Sequence, residues 1–188
     1  MIISGSDAME LNEKTISMKT VFKGRVINLR TDQVTLPNGR IAGREVIEHS
    51  GGVGIVAITN HDEILLVNQW RYPFSSVLKE IPAGKLDLGE NPVDCAFREL
   101  REETGAVAKE VTPLGKMLPS PGYTNEVIYL YYAKDLEMLE QQLDQDEFLL
   151  VEKVPFDEAL AMVYENRITD AKTIIGILKA NELRKTIT

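Results

Sequence analysis

From Thr20 to His49 apolar and polar residues alternate through "VFKGRVINL", "TDQVTL" and "IAGREVIEH", the period-two pattern of strands with one covered face. Between the second and third runs, "LPNGR" at 36–40 carries Asn-Gly, the dipeptide that suits the positive-φ positions of a tight hairpin. This piece predicts a small antiparallel sheet, too thin to bury its own apolar face and in need of something to pack on. Two nearly continuous apolar runs follow, "GGVGIVAITN" and "EILLVNQW", turned by "HDE" and read as buried strands. Next come a short strand in "VLKEIPAG", a helix from Asn91 to Gly105, a strand and loop in "LGKMLPSPGYTNE", and a strand in "VIYLYYA". A polar stretch from Lys134 to Glu147 leads to the strand "FLLVEKV". Two helices close the chain, "FDEALAMVYEN" and "AKTIIGILKANEL", the second with Asp170 as its N-cap. Helices and strands at such irregular spacing predict an α/β chain of the α+β type, with a mixed or antiparallel sheet rather than a doubly wound one. The expected organisation is a flexible segment at 1–18, the N-terminal sheet at 19–50 and the main domain at 51–188.

The 188 residues suit one domain with a small appendage, and a 44% hydrophobic share is enough for a core. A formal net charge of −8 with no basic run argues against nucleic acid as a partner. A small anionic ligand then needs a metal ion or a few placed arginines. The single cysteine, Cys95, allows no internal disulfide, and a reducing compartment is the default. No apolar run approaches the ~20 residues that span a bilayer, and "MIISGSDAME" lacks the regions of a secretory signal. The expected location is the cytoplasm, with no membrane partner. Met9 offers an internal start, with residues 1–8 as an added leader. His49 and His61 stand too far from other ligands to suggest a zinc site, and Cys95 reads as a small packed residue.

The densest chemistry lies in "GKLDLGENPVDCAFRELREETGA", residues 84–106. Asn91 can cap the helix, Pro92 suits its first position, Asp94 sits where a capping-box carboxylate reaches back, and Gly105 is a natural stop. At ~100° per residue, Glu99, Glu102 and Glu103 share an arc of about 100°, while Val93, Ala96, Phe97 and Leu100 gather on another face. Three carboxylates on one arc repel one another, and Arg98, four residues before Glu102, offsets part of this. A divalent cation bound by oxygen ligands relieves it directly. Spacing alone leaves a metal cage and a solvated acidic face both open.

Gly84, five residues, Glu90, seven residues and "RELREETGA" fill every fixed position of G-x5-E-x7-R-E-U-x-E-E-x-G-U, with Leu100 and Ala106 at the apolar positions. The segment thus resembles the Nudix box, in the strand–loop–helix setting the motif requires. The resemblance implies the Nudix fold, a mixed sheet between helices, and metal-dependent hydrolysis of a nucleoside diphosphate linked to another moiety. It implies Glu99 and Glu103 as principal ligands of Mg²⁺, or Mn²⁺, with Glu102 assisting and the carbonyl of Ala83 joining them. Arg98 is implied to orient the carboxylates and Glu90 to support the loop–helix geometry.

Outside the box, Glu80 in "EIPAG", the N-terminal sheet, "QWR" at 69–71, the tail "ITDAKTIIGI", and Pro121 sixteen residues after Gly105 resemble the ADP-ribose pyrophosphatase branch of that family. That likeness implies a homodimer in which the N-terminal sheet is exchanged, and hydrolysis of ADP-ribose to AMP and ribose 5-phosphate. It implies Arg44, Arg71, Glu80 and Glu126 as contacts to the ADP-ribose moieties, and Phe22 or Trp70 as the adenine stack. A loop carboxylate serves as general base in the branch; "LDQDEF" offers Asp144, Asp146 and Glu147, of which the resemblance favours Glu147, since the branch typically carries a glutamate just before this strand. On the residues alone, Glu80 can also be a solvent-facing group at a strand edge and Pro121 with Gly122 an ordinary turn. Other readings are a nucleotide sugar other than ADP-ribose or NADH as substrate, and a non-catalytic ADP-ribose-binding regulator. An intact box and the absence of a basic helix-turn-helix segment weigh against the regulator.

Overall fold

The computed structural model describes residues 11–143, 145 and 147–187. In chain order the elements are β1 (Lys14–Lys23), β2 (Asn28–Thr35), β3 (Ile41–Glu48), β4 (Gly52–Ala57), β5 (Glu63–Arg71), β6 (Ser76–Glu80), β7 (Ala83–Lys85), α1 (Pro92–Thr104), β8 (Ala106–Val107), β9 (Val111–Met117), β10 (Ile128–Ala133), β11 (Glu137–Met138), β12 (Leu149–Pro155), α2 (Phe156–Tyr164) and α3 (Ala171–Ile187). They form two compact units. One reaches to His49 and takes in Ser120–Glu126, and the other comprises Ser50–Pro119 and Val127 onward.

The first unit is the antiparallel sheet β1-β2-β3. The β2–β3 turn forms at Asn-Gly as the sequence predicts: Gly39 takes φ 80°, and its N–H donates to the Leu36 carbonyl at 2.9 Å. The strand preceding it departs from expectation. Lys14 to Met18, placed by the polarity of the sequence in a flexible segment, belong to β1 and pair with Thr35 to Asp32 of β2. Backbone pairing across a whole neighbouring strand holds these residues, whatever the polarity of their side chains. Every residue of β1 is exposed. The Ser120–Glu126 segment joins this unit through a parallel bridge between Ile47 and Thr124, and the Asn125 side chain accepts from the His49 N–H at 2.9 Å.

In the second unit, β7-β4-β10-β9 is a mixed sheet, parallel only where β4 meets β10, and β12-β5-β6 is antiparallel. All six residues of β4 are buried, because helices cover both of its faces. Val53, Ile55 and Ala57 point toward α1 with Cys95, Ala96 and Leu100, while Val56 packs with Ile177 and Ala180 of α3. This is the mixed sheet between helices that the resemblance implies, and it explains why "GGVGIVAITN" shows no alternation. Helix α3 runs to Ile187, beyond the predicted end at Leu183. Its buried stripe is Lys172, Thr173, Gly176, Ile177 and Ala180.

Candidate active site

The acidic helix α1 begins as its sequence dictates. The Asn91 side chain accepts from the Val93 N–H at 3.0 Å, and Gly105 ends the helix in the left-handed conformation with φ 73°. Leu100 and Ala96 face the core, which turns Glu99 and Glu103 toward β7. Glu103 is 3% exposed, and one of its oxygens accepts the Ala83 N–H at 2.8 Å. Burial pushes its carboxyl up to about 8, against that hydrogen bond, and the charges of Glu99 and Glu147 push the same way. Burial also raises Glu99, with Arg98 opposing and Glu102 and Glu147 adding to the rise. Glu147 therefore lies close enough to both carboxylates for its charge to be felt.

Arg98 is the hub of the exposed side. It donates to both oxygens of Glu90 at 2.9 Å, to Glu99 at 2.7 Å and to Glu102 at 3.0 Å. The Arg98 hydrogen bond holds Glu90 down at about 2, although burial opposes it. Glu90 also accepts the Asp87 N–H at 3.0 Å, which closes the turn leading into α1. Cys95, beneath, has its thiol pushed well up by burial, as befits an inert packed side chain.

Among the described residues no three His, Cys, Asp or Glu groups converge as a ready cation cage; Arg98 serves as counter-charge for Glu99 and Glu102. The donor set nevertheless suits a hard divalent ion, being carboxylate and carbonyl oxygen throughout. Glu103, half of the buried pair, has no cationic side chain bonded to it among the described residues. The space beside the pair is also kept clear by the backbone: a Cβ on Gly84 would lie 1.8 Å from the Glu99 carboxyl carbon. We expect Gly84→Ala to displace that carboxylate and lower kcat about 100-fold while the protein still unfolds cooperatively. Activity within a few-fold of the parent would remove the stated reason for glycine there.

The other anticipated residues fall into distinct groups. Arg71 and Glu80 meet in a two-pronged ion pair, with both N–O distances 2.6 Å. Glu80 is not at a solvent edge; it is 1% exposed, and Lys172 bonds its second oxygen as well. Burial pushes Glu80 up, but Arg71 and Lys172 together pull it below the ordinary carboxylate range. Trp70 is 55% exposed and lines a cavity of about 370 Å³ with Val77, Glu147, Phe148 and Leu150. In the first unit Arg44 pairs with Glu13, His49 Nδ1 lies 3.5 Å from Glu126, and Phe22 stands exposed on β1. Asp144 and Asp146 lie outside the described residues.

Sequence reasoning missed Lys172 and Asp32. Lys172 occupies a stripe of α3 otherwise made of small and apolar residues, and that position was the available signal. Asp32 is buried with one oxygen on Arg30 at 3.0 Å and the other without a partner among the described residues. It borders a cavity of about 300 Å³ with Arg44, Val46 and the Pro121–Asn125 segment, and nothing in the sequence marks it.

The chain matches the NUDIX domain over residues 48–174. The chain belongs to the Nudix family. Residues 13–47 match the nucleoside diphosphate sugar hydrolase N-terminal domain, so the sheet before this Nudix domain is itself a known family piece. The chain is 42% identical over 169 residues to the ADP-ribose pyrophosphatase of Bacillus subtilis (strain 168), covering 89% of this chain and 91% of that one. It is 45% identical over 167 residues to the methanol dehydrogenase activator of Bacillus methanolicus, with 88% and 90% covered. A crystal structure of an ADP compounds hydrolase superposes with a TM-score of 0.85 at 22% identity over 97% of this chain and 98% of that one, which supports the Nudix fold.

Proposed function

We propose that this protein is a Mg²⁺-dependent diphosphatase that hydrolyses ADP-ribose to AMP and ribose 5-phosphate. The observation that carries the reading is the 42% identity to an ADP-ribose pyrophosphatase across both the N-terminal piece and the Nudix domain. Glu99, Glu103 and the Ala83 carbonyl would hold the metal, with Glu102 assisting. When bound, the metal supplies charge neutralisation for the diphosphate and a readily deprotonated water. Arg98 keeps Glu99 and Glu102 oriented, and Glu90 holds Arg98 in turn. Arg71, its side chain 38% exposed and braced by Glu80, would contact the substrate; Glu80 would act through Arg71, since its own oxygens are taken. Glu147 accepts the proton of the attacking water. Trp70 would offer its exposed face to adenine, and in the N-terminal unit Arg44, Glu126 and Phe22 are the residues that the resemblance gives as substrate contacts. The exposed apolar side chains of β1, among them Ile16, Met18 and Phe22, support a homodimer in which a second copy covers this sheet. No described helix is long and apolar enough to cross a membrane, which suits a cytoplasmic enzyme.

AMP release from ADP-ribose, ADP-mannose, GDP-mannose and NADH, with and without Mg²⁺, tests the reading. We expect metal-dependent turnover with ADP-ribose ahead in kcat/KM; preference for another substrate would keep the chemistry and change the specificity. Glu147→Gln should lower kcat by about 10² to 10⁴ with little change in KM. An unaffected kcat would move the base to another carboxylate.

The 45% identity to a methanol dehydrogenase activator favours a second reading, in which the chain modulates a dehydrogenase. Adding the protein to a methanol dehydrogenase separates the two: stimulation that persists in Glu103→Gln would point to binding, and stimulation lost with it to hydrolysis.

A further inference from the structure

The four residues Glu80–Ala83, which link β6 to β7, are each tied down. Glu80 bonds Arg71 and Lys172. The Ile81 N–H donates to Thr173 Oγ1 at 2.8 Å, the Pro82 carbonyl accepts the Ile55 N–H at 2.9 Å, and the Ala83 N–H donates to Glu103 at 2.8 Å. Two of these ties come from the first turn of α3, 92 residues further along the chain. Lys172 is only 9% exposed, and its Nζ also lies 3.1 Å from Asp170 Oδ1. The other Asp170 oxygen accepts from the Thr173 N–H at 3.0 Å and from its hydroxyl at 2.6 Å. Asp170, Lys172 and Thr173 thus form one closed unit that grips Glu80 and Ile81. One turn on, Gly176 lets the helix come close: a Cβ there would meet Val56 at 2.9 Å and Ile81 at 3.2 Å.

We propose that Lys172 is a positioning residue for metal binding: by bridging Glu80 and Asp170 it fixes the loop that sets Ala83 against Glu103. The inference rests on the reading of Ala83 and Glu103 as metal ligands. Lys172 touches neither of them through any described hydrogen bond; its charge lowers the Glu103 carboxyl from a distance, and its hold on the loop passes through Glu80 and the backbone, a part that Lys172→Arg, which keeps the charge, tells apart. A stripe of Thr173, Gly176, Ile177 and Ala180 has no packing need for a charge, and replacing a whole buried ion pair by apolar groups of similar volume often costs no stability. What an apolar residue cannot do is hold Glu80 and Asp170 at one point. Groups that orient metal ligands in this indirect way usually change affinity or activity by about 10- to 100-fold.

The test is Mn²⁺ binding to the full-length protein without substrate, read from the electron paramagnetic resonance of free Mn²⁺, together with kcat and KM for ADP-ribose. In Lys172→Met we expect the Mn²⁺ dissociation constant to rise about tenfold and kcat to fall about tenfold, with KM within about two-fold. Amide exchange at Ala83 should quicken in the same variant, and Lys172→Arg should recover part of the affinity. Should Lys172→Met fail to fold, the double variant Lys172→Met, Glu80→Gln removes the two charges together and is expected to show the same loss. A folded single or double variant with parental Mn²⁺ affinity and parental Ala83 exchange overturns the proposal, even if it unfolds at a lower temperature. A parent protein that binds no Mn²⁺ overturns the metal reading, and this proposal with it.

Discussion

Glu103→Gln should lower turnover of ADP-ribose by about three orders of magnitude or more while leaving the fold intact. Both halves of that expectation come from the same surroundings. Glu103 is 3% exposed and is held by one backbone N–H, from Ala83, with no cationic side chain bonded to it among the described residues. A glutamine oxygen can still accept that N–H, and removing a charge that burial already disfavours costs the fold little. On the proposed assignment, however, the metal would lose a formal negative ligand in a site where charge neutralisation carries most of the rate; a loss of about 4 kcal/mol in the transition state corresponds to the thousand-fold drop. Steady-state kinetics at saturating Mg²⁺, with circular dichroism on the same samples, decides the matter. Activity within tenfold of the parent would place the metal elsewhere.

The largest loss of stability is expected at Glu80. Its carboxylate is buried between Arg71 and Lys172, and Glu80→Gln leaves two cations facing a neutral amide. Breaking a buried ion pair from one side costs about 3–5 kcal/mol, and because Arg71 is partly exposed the lower figure applies. For a chain of this size that is a fall in Tm of roughly 10 °C. The effect depends on pH in a defined direction. Arg71 and Lys172 hold Glu80 below the ordinary carboxylate range despite burial, so its contribution is complete above the unfolded-state value of about 4.3 and fades as pH falls beneath it. Parent and variant should therefore differ most at neutral pH and converge under acid conditions. Equal Tm values at pH 7 would show the pair to be energetically idle.

Local features of this chain are legible in its sequence. The Asn-Gly hairpin, the caps at Asn91, Gly105 and Asp170, and the spacing from Gly84 to Gly105 each depend on residues a few positions apart, where backbone geometry ties type to place. The arc of Glu99, Glu102 and Glu103 follows from helical rotation. What the sequence hides is pairing at a distance. The parallel match of β4 with β10, the union of Glu80 with Lys172, and the place of Trp70 beside Glu147 all join segments about seventy or more residues apart. Side-chain polarity is also a poor guide to β1, because strand pairing satisfies the backbone and is indifferent to an outward Lys or Ser. Why Gly84 must be glycine is hidden for the same reason; the motif records the residue, and only the 1.8 Å approach of Glu99 supplies the cause.

The open flank of β1 has a thermodynamic corollary. Ten successive exposed residues on an outer strand of the β1-β2-β3 sheet include Ile16, Met18 and Val21, a surface that water tolerates poorly. In the proposed homodimer a second copy would cover it by mass action, and the covered form would gain stability with the logarithm of the protein's concentration. The melting temperature of this protein should therefore climb as the sample is concentrated, and brief dilution should loosen the N-terminal sheet before the Nudix core.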